Sequence, residues 1–203
     1  MCTLLLFIRN PELGKVKTRL ARSLGDEAAL RIYRLLLVRA REAALQTDAA
    51  RWLFYSESIR YDDDWPMDAF HKTVQTSGDL GEKMAAAFQQ AFAAGATKAV
   101  IMGSDCPELT GELLNQAFEL LNQSDFVIGP AHDGGYYLLG MNQFEPAVFQ
   151  HIVWSTETVC VDTESIIFSL GKSVRRLPTL SDIDEAEDWE GFLSRNPGIK
   201  ENT

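Results

Sequence analysis

Apolar residues in this chain fall into short continuous runs separated by longer amphipathic stretches. The first run, residues 3–8, has no polar break and fits a strand buried on both faces. Comparable runs at 51–55, 70–75, 99–102, 125–130, 136–140 and 173–177 predict further strands. Between them the period changes to that of a helix. Leu30, Tyr33, Leu37, Ala40 and Ala44 recur at helical spacing over 26–46, with Arg31, Arg34, Arg39 and Arg41 mostly between them. That stretch reads as a covering helix without chemistry. Other helices are predicted from about 15, and over 82–94, 110–122, 158–170 and 185–193. Alternating strands and helices imply an α/β fold: a mostly parallel mixed sheet flanked by helices on both faces. The hairpin-like region 126–140 adds an antiparallel strand. No internal repeat or linker interrupts the pattern. One domain over 1–195 is expected, with 196–203 a flexible tail.

Composition narrows the class. The 203 residues suffice for one domain with a substantial core, and 46% hydrophobic with 24% charged residues is a globular balance. No apolar run approaches the roughly 20 residues of a membrane span. Cys2, Cys106 and Cys160 are odd in number and widely spaced, which suggests neither a disulfide framework nor a zinc site and makes a reducing cytoplasm the expected compartment. A net charge of −10 argues against nucleic acid or an anionic membrane as partner.

The charge is unevenly placed. Arg9, Lys15, Lys17, Arg19 and Arg22 face the single acid Glu12 within fourteen residues. This is either a local anion site or a solvated basic face. Pro11 and Gly14 punctuate the loop, and a strand, a loop and a helix start are the parts of a phosphate site. Arg19 could hold phosphate oxygens bidentately. A second candidate is Asp105. The run ending at Met102 breaks at Gly103, Ser104, Asp105, Cys106 and Pro107, so the carboxylate stands at a strand's carboxyl end, where open α/β sheets bind ligands. It is a metal ligand, a general base or the cap of the helix from 110. Gly78 and Asp79 precede the helix at 82 and form a binding loop or a loop plus cap. His132, Asp133, Gly134 and Gly135 flank a strand end where glycines allow close approach of a ligand, and Tyr136 follows. A hairpin turn accounts for Asp133 and Gly134 alone. Three consecutive aspartates, 62–64, read as a solvated loop, and Asp184 with Glu187 as a capping box.

Four stretches together carry a resemblance: F-I-R-N-P-E-L-G-K-V-K-T-R-L at 7–20, Q-T-S-G-D-L-G-E-K-M at 75–84, G-S-D-C-P-E-L at 103–109, and G-P-A-H-D-G-G-Y-Y-L-L-G at 129–140. W-S-T-E at 154–157 and L-P-T-L-S-D-I-D at 177–184 add to it. The chain resembles the bacterial GT-A-type glycosyltransferases of the arsenosugar-biosynthesis type, formerly a domain of unknown function, in the nucleotide-diphospho-sugar transferase superfamily. The resemblance implies a single Rossmann-like GT-A domain. It implies a nucleotide site along Arg9, Lys15, Lys17 and Arg19, with Gly78 and Asp79, and a divalent metal, Mg²⁺ or Mn²⁺, on Asp105. Here Ser104, Asp105 and Cys106 stand in place of the D-x-D of many glycosyltransferases.

The implied reaction is metal-dependent transfer of a group, a glycosyl group first, from a nucleotide-diphosphate-activated donor to a small-molecule acceptor. Asp105 and Asp133 are the catalytic candidates, Asp133 as second metal ligand or acceptor base. His132, Gly134, Gly135 and Tyr136 are the acceptor-side candidates. The alternatives are nucleotidyl transfer from an NTP with pyrophosphate release, and a non-catalytic nucleotide-binding protein.

Overall fold

The computed structural model describes residues 1–199; the end of the expected tail, 200–203, lies outside the described residues. Among the described residues seven strands form one sheet: β1 (Cys2–Ile8), β2 (Ala50–Tyr55), β3 (His71–Val74), β4 (Lys98–Met102), β5 (Phe126–Pro130), β6 (Tyr136–Met141) and β7 (Val174–Arg176). Their order is β3-β2-β1-β4-β6-β5-β7. All neighbours run parallel except β6, which is antiparallel to both β4 and β5. Among the described residues six helices cover the sheet: α1 (Thr18–Leu24), α2 (Asp26–Leu45), α3 (Leu80–Ala93), α4 (Gly111–Leu120), α5 (Val159–Ser169) and α6 (Ala186–Arg195).

The unbroken apolar runs have a physical use here. Side chains alternate between sheet faces, so a strand covered on both sides must be apolar throughout. In β1, Leu4, Leu6 and Ile8 join one core with residues of α1, α2, α4 and α6; Leu5 joins the other with α3 and α5. Val100 and Met102 of β4 divide from Ala99 and Ile101 in the same way. The 3-10 turn Pro146–Phe149 completes the second layer.

Connectivity determines where a ligand can enter. From β1 the chain winds outward to β2 and β3, while β4 lies on the opposite side of β1. The carboxyl ends of β1 and β4 therefore flank a point where strand order reverses, and such points open a crevice in α/β sheets. The loop after β1 and the turn after β4 both face it. The antiparallel β6 brings the β5–β6 turn to this same end of the sheet.

Candidate functional site

Asp105 follows β4 directly. Met102 is buried, Gly103 N donates to Tyr137 O at 3.3 Å, and Cys106 and Leu109 drop back into the core. The cap of α4 is Thr110, whose Oγ1 accepts from Leu113 N at 3.3 Å. Asp105 is thus not the helix cap; its carboxylate points into the crevice.

Lys17 meets it there. Its Nζ stands 2.9 Å from Asp105 Oδ1 and 3.0 Å from Asp184 Oδ1, with its side chain only 5% exposed. Lys17 has φ 47° and ψ 47°, a left-handed conformation that costs a non-glycine residue about 1 kcal/mol. Buried Val16 and Leu20 anchor the chain on either side. Burial works against the Lys17 charge, but Asp105 and then Asp184 outweigh it and hold the ammonium above the ordinary lysine range.

The segment between β7 and α6 brings in the acids. Leu177 N donates to Ile128 O, Leu180 N to Pro130 O, and Ile183 N to Asp105 O at 2.9 Å. These bonds lead the chain across the ends of β5 and β4. Asp182 then faces Asp105, Asp133 and Lys17. Its Oδ1 is buried and has no hydrogen-bond partner. Burial first, then repulsion from Asp105 and Asp133, pushes its carboxyl up to about 7, against the pull of Lys17. His132, Asp133, Ser181, Asp182, Asp184 and Asp188 line a cleft of about 80 Å³. A larger hollow of about 550 Å³ lies elsewhere, at the β2–β3 edge beside Trp52 and His71. Its side chains Arg51 and Lys72 already bond to Ala44, Thr47, Arg60 and Asp63, whereas the smaller cleft holds the unpartnered buried oxygen of Asp182.

Tyr33 of α2 ties the crevice walls together. Its hydroxyl accepts from Arg9 N at 2.8 Å and lies 3.2 Å from Arg9 O and 3.3 Å from Ser104 Oγ. Burial, then Asp105, pushes that hydroxyl up to about 12, so it remains a neutral donor. On the other side of the loop, Asn10 Oδ1 accepts from Glu57 N and its Nδ2 donates to Ser58 O.

The remaining expected site residues divide into two groups. Arg9, Lys15 and Arg19 are exposed around the loop; Lys15 pairs with Glu12 at 2.7 Å and with Glu57 at 3.7 Å. α1 has only seven residues, so the positive charge here comes from side chains rather than a helix dipole. Asp133 and His132 reach the cleft; Asp133 Oδ1 accepts from Gly135 N at 2.9 Å, and His132 N donates to Leu180 O. Gly134, at φ 87°, packs where any Cβ would overlap the Glu157 backbone, and Cys160 N donates to Gly134 O. Its smallness serves that close packing, as well as any ligand.

Three residues are occupied elsewhere. Asp79 Oδ1 accepts from Glu82 N at 2.8 Å while Glu82 Oε2 accepts from Asp79 N, a closed capping box on α3. Gly78, at φ 115°, leaves room for that Glu82 side chain. Tyr136 turns to the α3 and α5 face, its hydroxyl 4.0 Å from Met84 Sδ. Alternation sends Tyr137 to the opposite face, where its hydroxyl donates to Pro178 O. The paired tyrosines are therefore packing groups.

Two readings from local motifs are corrected. The capping box of α6 is Glu185 with Asp188, one residue after the expected Asp184 with Glu187, which leaves the Asp184 side chain to Lys17. Asp63 is not solvated with Asp62 and Asp64: it pairs with Lys72 Nζ at 2.6 Å and accepts from the Tyr55 hydroxyl. Asp182, Asp184, Ser104 and Tyr33 are the crevice residues missed in the sequence. Their signal was weak because each also fits a cap, a turn or a core position.

Oxygen donors with an unpartnered buried Oδ1 among them fit a hard divalent cation. The cage is not preassembled: among the described residues no three His, Cys, Asp or Glu side chains converge at metal-binding geometry, and the Lys17 ammonium stands between two of the carboxylates.

No helix among the described residues is long and apolar enough to cross a membrane, and all three cysteines are unpaired. The profile of the DUF2064 family, described as an uncharacterized protein conserved in bacteria, matches residues 37–156. No curated protein sequence matches the chain. Among solved structures, a "putative nucleotide-diphospho-sugar transferase" from Desulfovibrio desulfuricans G20 superposes with a TM-score of 0.88 at 32% identity, over 99% of this chain and 89% of that one. Rv0371C from Mycobacterium tuberculosis H37Rv, in complex with manganese, has a TM-score of 0.53 at 16% identity over 95% of this chain and 98% of its own. The 4-diphosphocytidyl-2C-methyl-D-erythritol synthase from Anaerococcus prevotii DSM 20548 has a TM-score of 0.58 at 10% identity, covering 96% of each chain. The last two share the fold alone. The match over more than half of the sequence, and the 32%-identical structure over nearly all of it, place this chain in the bacterial DUF2064 family, with the fold of the nucleotide-diphospho-sugar transferases.

Proposed function

We propose that the protein transfers a group, a glycosyl group first, from a nucleotide-diphosphate-activated donor to a small acceptor, with Mg²⁺ or Mn²⁺ bound at Asp105. The observation that carries this reading is the pairing of opposites at one crevice. Lys17, from a cationic loop that also carries Lys15 and Arg19, meets Asp105 and Asp184 beside Asp133 and Asp182, whose buried Oδ1 is unsatisfied. A metal diphosphate has both charges: the cation suits the acids and the phosphates suit the loop. The name of the 32%-identical relative and the manganese complex of the more distant one support the same direction.

Asp105, Asp182 and Asp184 would hold the ion, with Asp133 as a further ligand or as the acceptor's base. A bound divalent ion would offset the charge that builds on a diphosphate leaving group. The chain does the rest. Arg9, Lys15 and Arg19 orient the phosphates, and Asn10 fixes the loop that carries them. Tyr33 keeps that loop at a set distance from Ser104 and Asp105. Asp133, exposed on its tight turn, is placed to accept a proton from an acceptor hydroxyl.

A second reading is nucleotidyl transfer, favoured by the synthase neighbour whose name describes a diphosphocytidyl product. Thermal-shift measurements with nucleotides and nucleotide sugars, with and without Mn²⁺, come first, because a ligand of the folded state raises apparent stability. Donor turnover over the same nucleotide sugars, beside pyrophosphate release from NTPs with sugar phosphates, then separates the reactions. Metal-dependent donor cleavage without pyrophosphate supports glycosyl transfer. Pyrophosphate release supports the second reading. Nucleotide binding indifferent to Mn²⁺, with no product from any donor, would mean a non-catalytic binding protein.

A further inference from the structure

Lys17 stands where a cation is wanted. Its ammonium is shared between Asp105 and Asp184, and those two carboxylates remain 45% and 43% exposed, open to an ion arriving from solvent. The neighbouring Asp182 Oδ1 has no partner. One ammonium is thus shared by Asp105 and Asp184, and with Asp182 and Asp133 beside them the acids of the crevice outnumber it. A permanent structural pair in the same molecule is built differently. Lys72 meets the single carboxylate Asp63, which also takes the Tyr55 hydroxyl, and a carbonyl of Arg60 completes the ammonium's shell.

We propose that Lys17 is a resident counter-cation: it holds the cleft carboxylates together until a divalent ion displaces it, and its ammonium is then released toward the donor phosphates. The proposal rests on the reading above that this cleft takes a divalent ion. Its own support is geometric. A divalent ion on Asp105 and Asp184 would contact these carboxylates at about 2.0–2.6 Å. An ammonium within 3.0 Å of both oxygens would then lie a few ångströms from the ion, a like-charge contact that the half-exposed crevice screens only in part. One cation must leave. Lysine is suited to leave: four methylenes and a single charged tip allow the ammonium to swing without moving the backbone. The left-handed backbone at Lys17 aims this side chain inward, whereas Lys15, two residues earlier, is exposed and bonded to Glu12.

Displacement lowers apparent metal affinity by the fraction of molecules in which Lys17 has already moved away. Titration with Mn²⁺ alone, followed by the electron paramagnetic resonance of the free ion, reads this without any turnover. Lys17→Met is expected to bind Mn²⁺ about tenfold more tightly than the unaltered chain. Equal or weaker binding by the variant overturns the resident-cation proposal while leaving the metal site intact. Binding by neither protein overturns the metal reading as well. A second measurement needs no variant, should Lys17→Met fold poorly. Acetylation of Lys17 by an amine reagent, quantified by mass spectrometry, is expected to speed up several-fold when Mn²⁺ is added without nucleotide. An unchanged rate overturns the proposal.

Discussion

Lys17 and Lys72 both bury their side chains, at 5% and 1% exposure, and both meet aspartates, yet they do opposite things to the regions around them. At the β3 edge, Lys72, Asp63, the Tyr55 hydroxyl and the Arg60 carbonyl form a closed set: one positive and one negative charge, each with further hydrogen bonds. Such a set pins a loop and has nothing left to offer a ligand. At the β1–β4 crevice, Lys17 faces more negative charge than it can neutralise, and one buried carboxylate oxygen goes without a partner. The raised carboxyl and the unpartnered buried oxygen mark this crevice as a candidate binding site. The difference between a structural ion pair and a binding site here is whether the charge and hydrogen-bond accounts close.

The comparison can be broken or sharpened at several strengths. The largest effect is expected at Asp105. Asp105→Asn should reduce metal-dependent turnover by about a thousandfold while leaving the circular dichroism of a folded chain, because Asp184 still pairs with Lys17 and the cap of α4 is Thr110. Near-normal turnover would remove Asp105 from the chemistry. At the closed set the effect should fall on stability instead. Lys72→Met strands Asp63 in a half-buried position and should cost about 3 kcal/mol, read as a drop in Tm of about 10 °C. The double variant Asp63→Asn with Lys72→Met should recover part of that loss.

A smaller and pH-dependent effect belongs to Asp182. Its folded carboxyl is raised to about 7 from an ordinary value of 3.8. Its stabilising contribution is therefore full below pH 3.8, is lost progressively as pH rises, and is gone above about 7. Asp182→Asn should match the unaltered chain near pH 4 and melt about 5 °C higher at pH 8. Adding Mn²⁺ at pH 8 should narrow that gap, since an ion on Asp182 favours its charged form; a gap of equal size at both pH values would show that Asp182 is not the group titrating. The smallest effect is expected at Lys15, exposed and bonded to Glu12. Lys15→Ala should leave Tm unchanged and raise the KM for donor only.

Much of this arrangement was readable in the chain, because burial on both faces leaves an unmistakable trace. The run at residues 3–8 and the run ending at Met102 became adjacent parallel strands, and the 126–140 region became the antiparallel hairpin. Helix ends shifted where local signals competed. The helix expected from about 15 begins at Thr18, since Lys17 adopts a left-handed backbone that no spacing rule reveals. The crevice was half legible. Asp105 stood out because a strand end gives a carboxylate an address, and the basic loop because its charge contrasts with an acidic chain. Asp184 was hidden by resemblance to a local motif: the same carboxylate fits a capping box on paper but in the fold meets a lysine 167 residues away in sequence. Asp182 was hidden because its environment comes from four separate segments. Tyr136 looked like a site because it follows the turn, but strand alternation sends it to the α3 and α5 face and Tyr137 to the other.

The antiparallel β6 has a further consequence, for the order in which the molecule assembles. The β5–β6 hairpin joins strands only five residues apart in sequence, Phe126–Pro130 and Tyr136–Met141, within an otherwise parallel sheet that must close long loops. Short-range pairing is quick and long-range pairing slow. The turn bearing Asp133 is therefore expected to form early, in the company of few other charges. The Lys17–Asp184 contact closes a loop of 167 residues and should form late, after the helices have docked. A folding chain would thus bring Asp182 and Asp184 last, to a scaffold on which Lys17 and Asp105 already meet, and divalent ions in the refolding buffer should speed the final phase rather than the first.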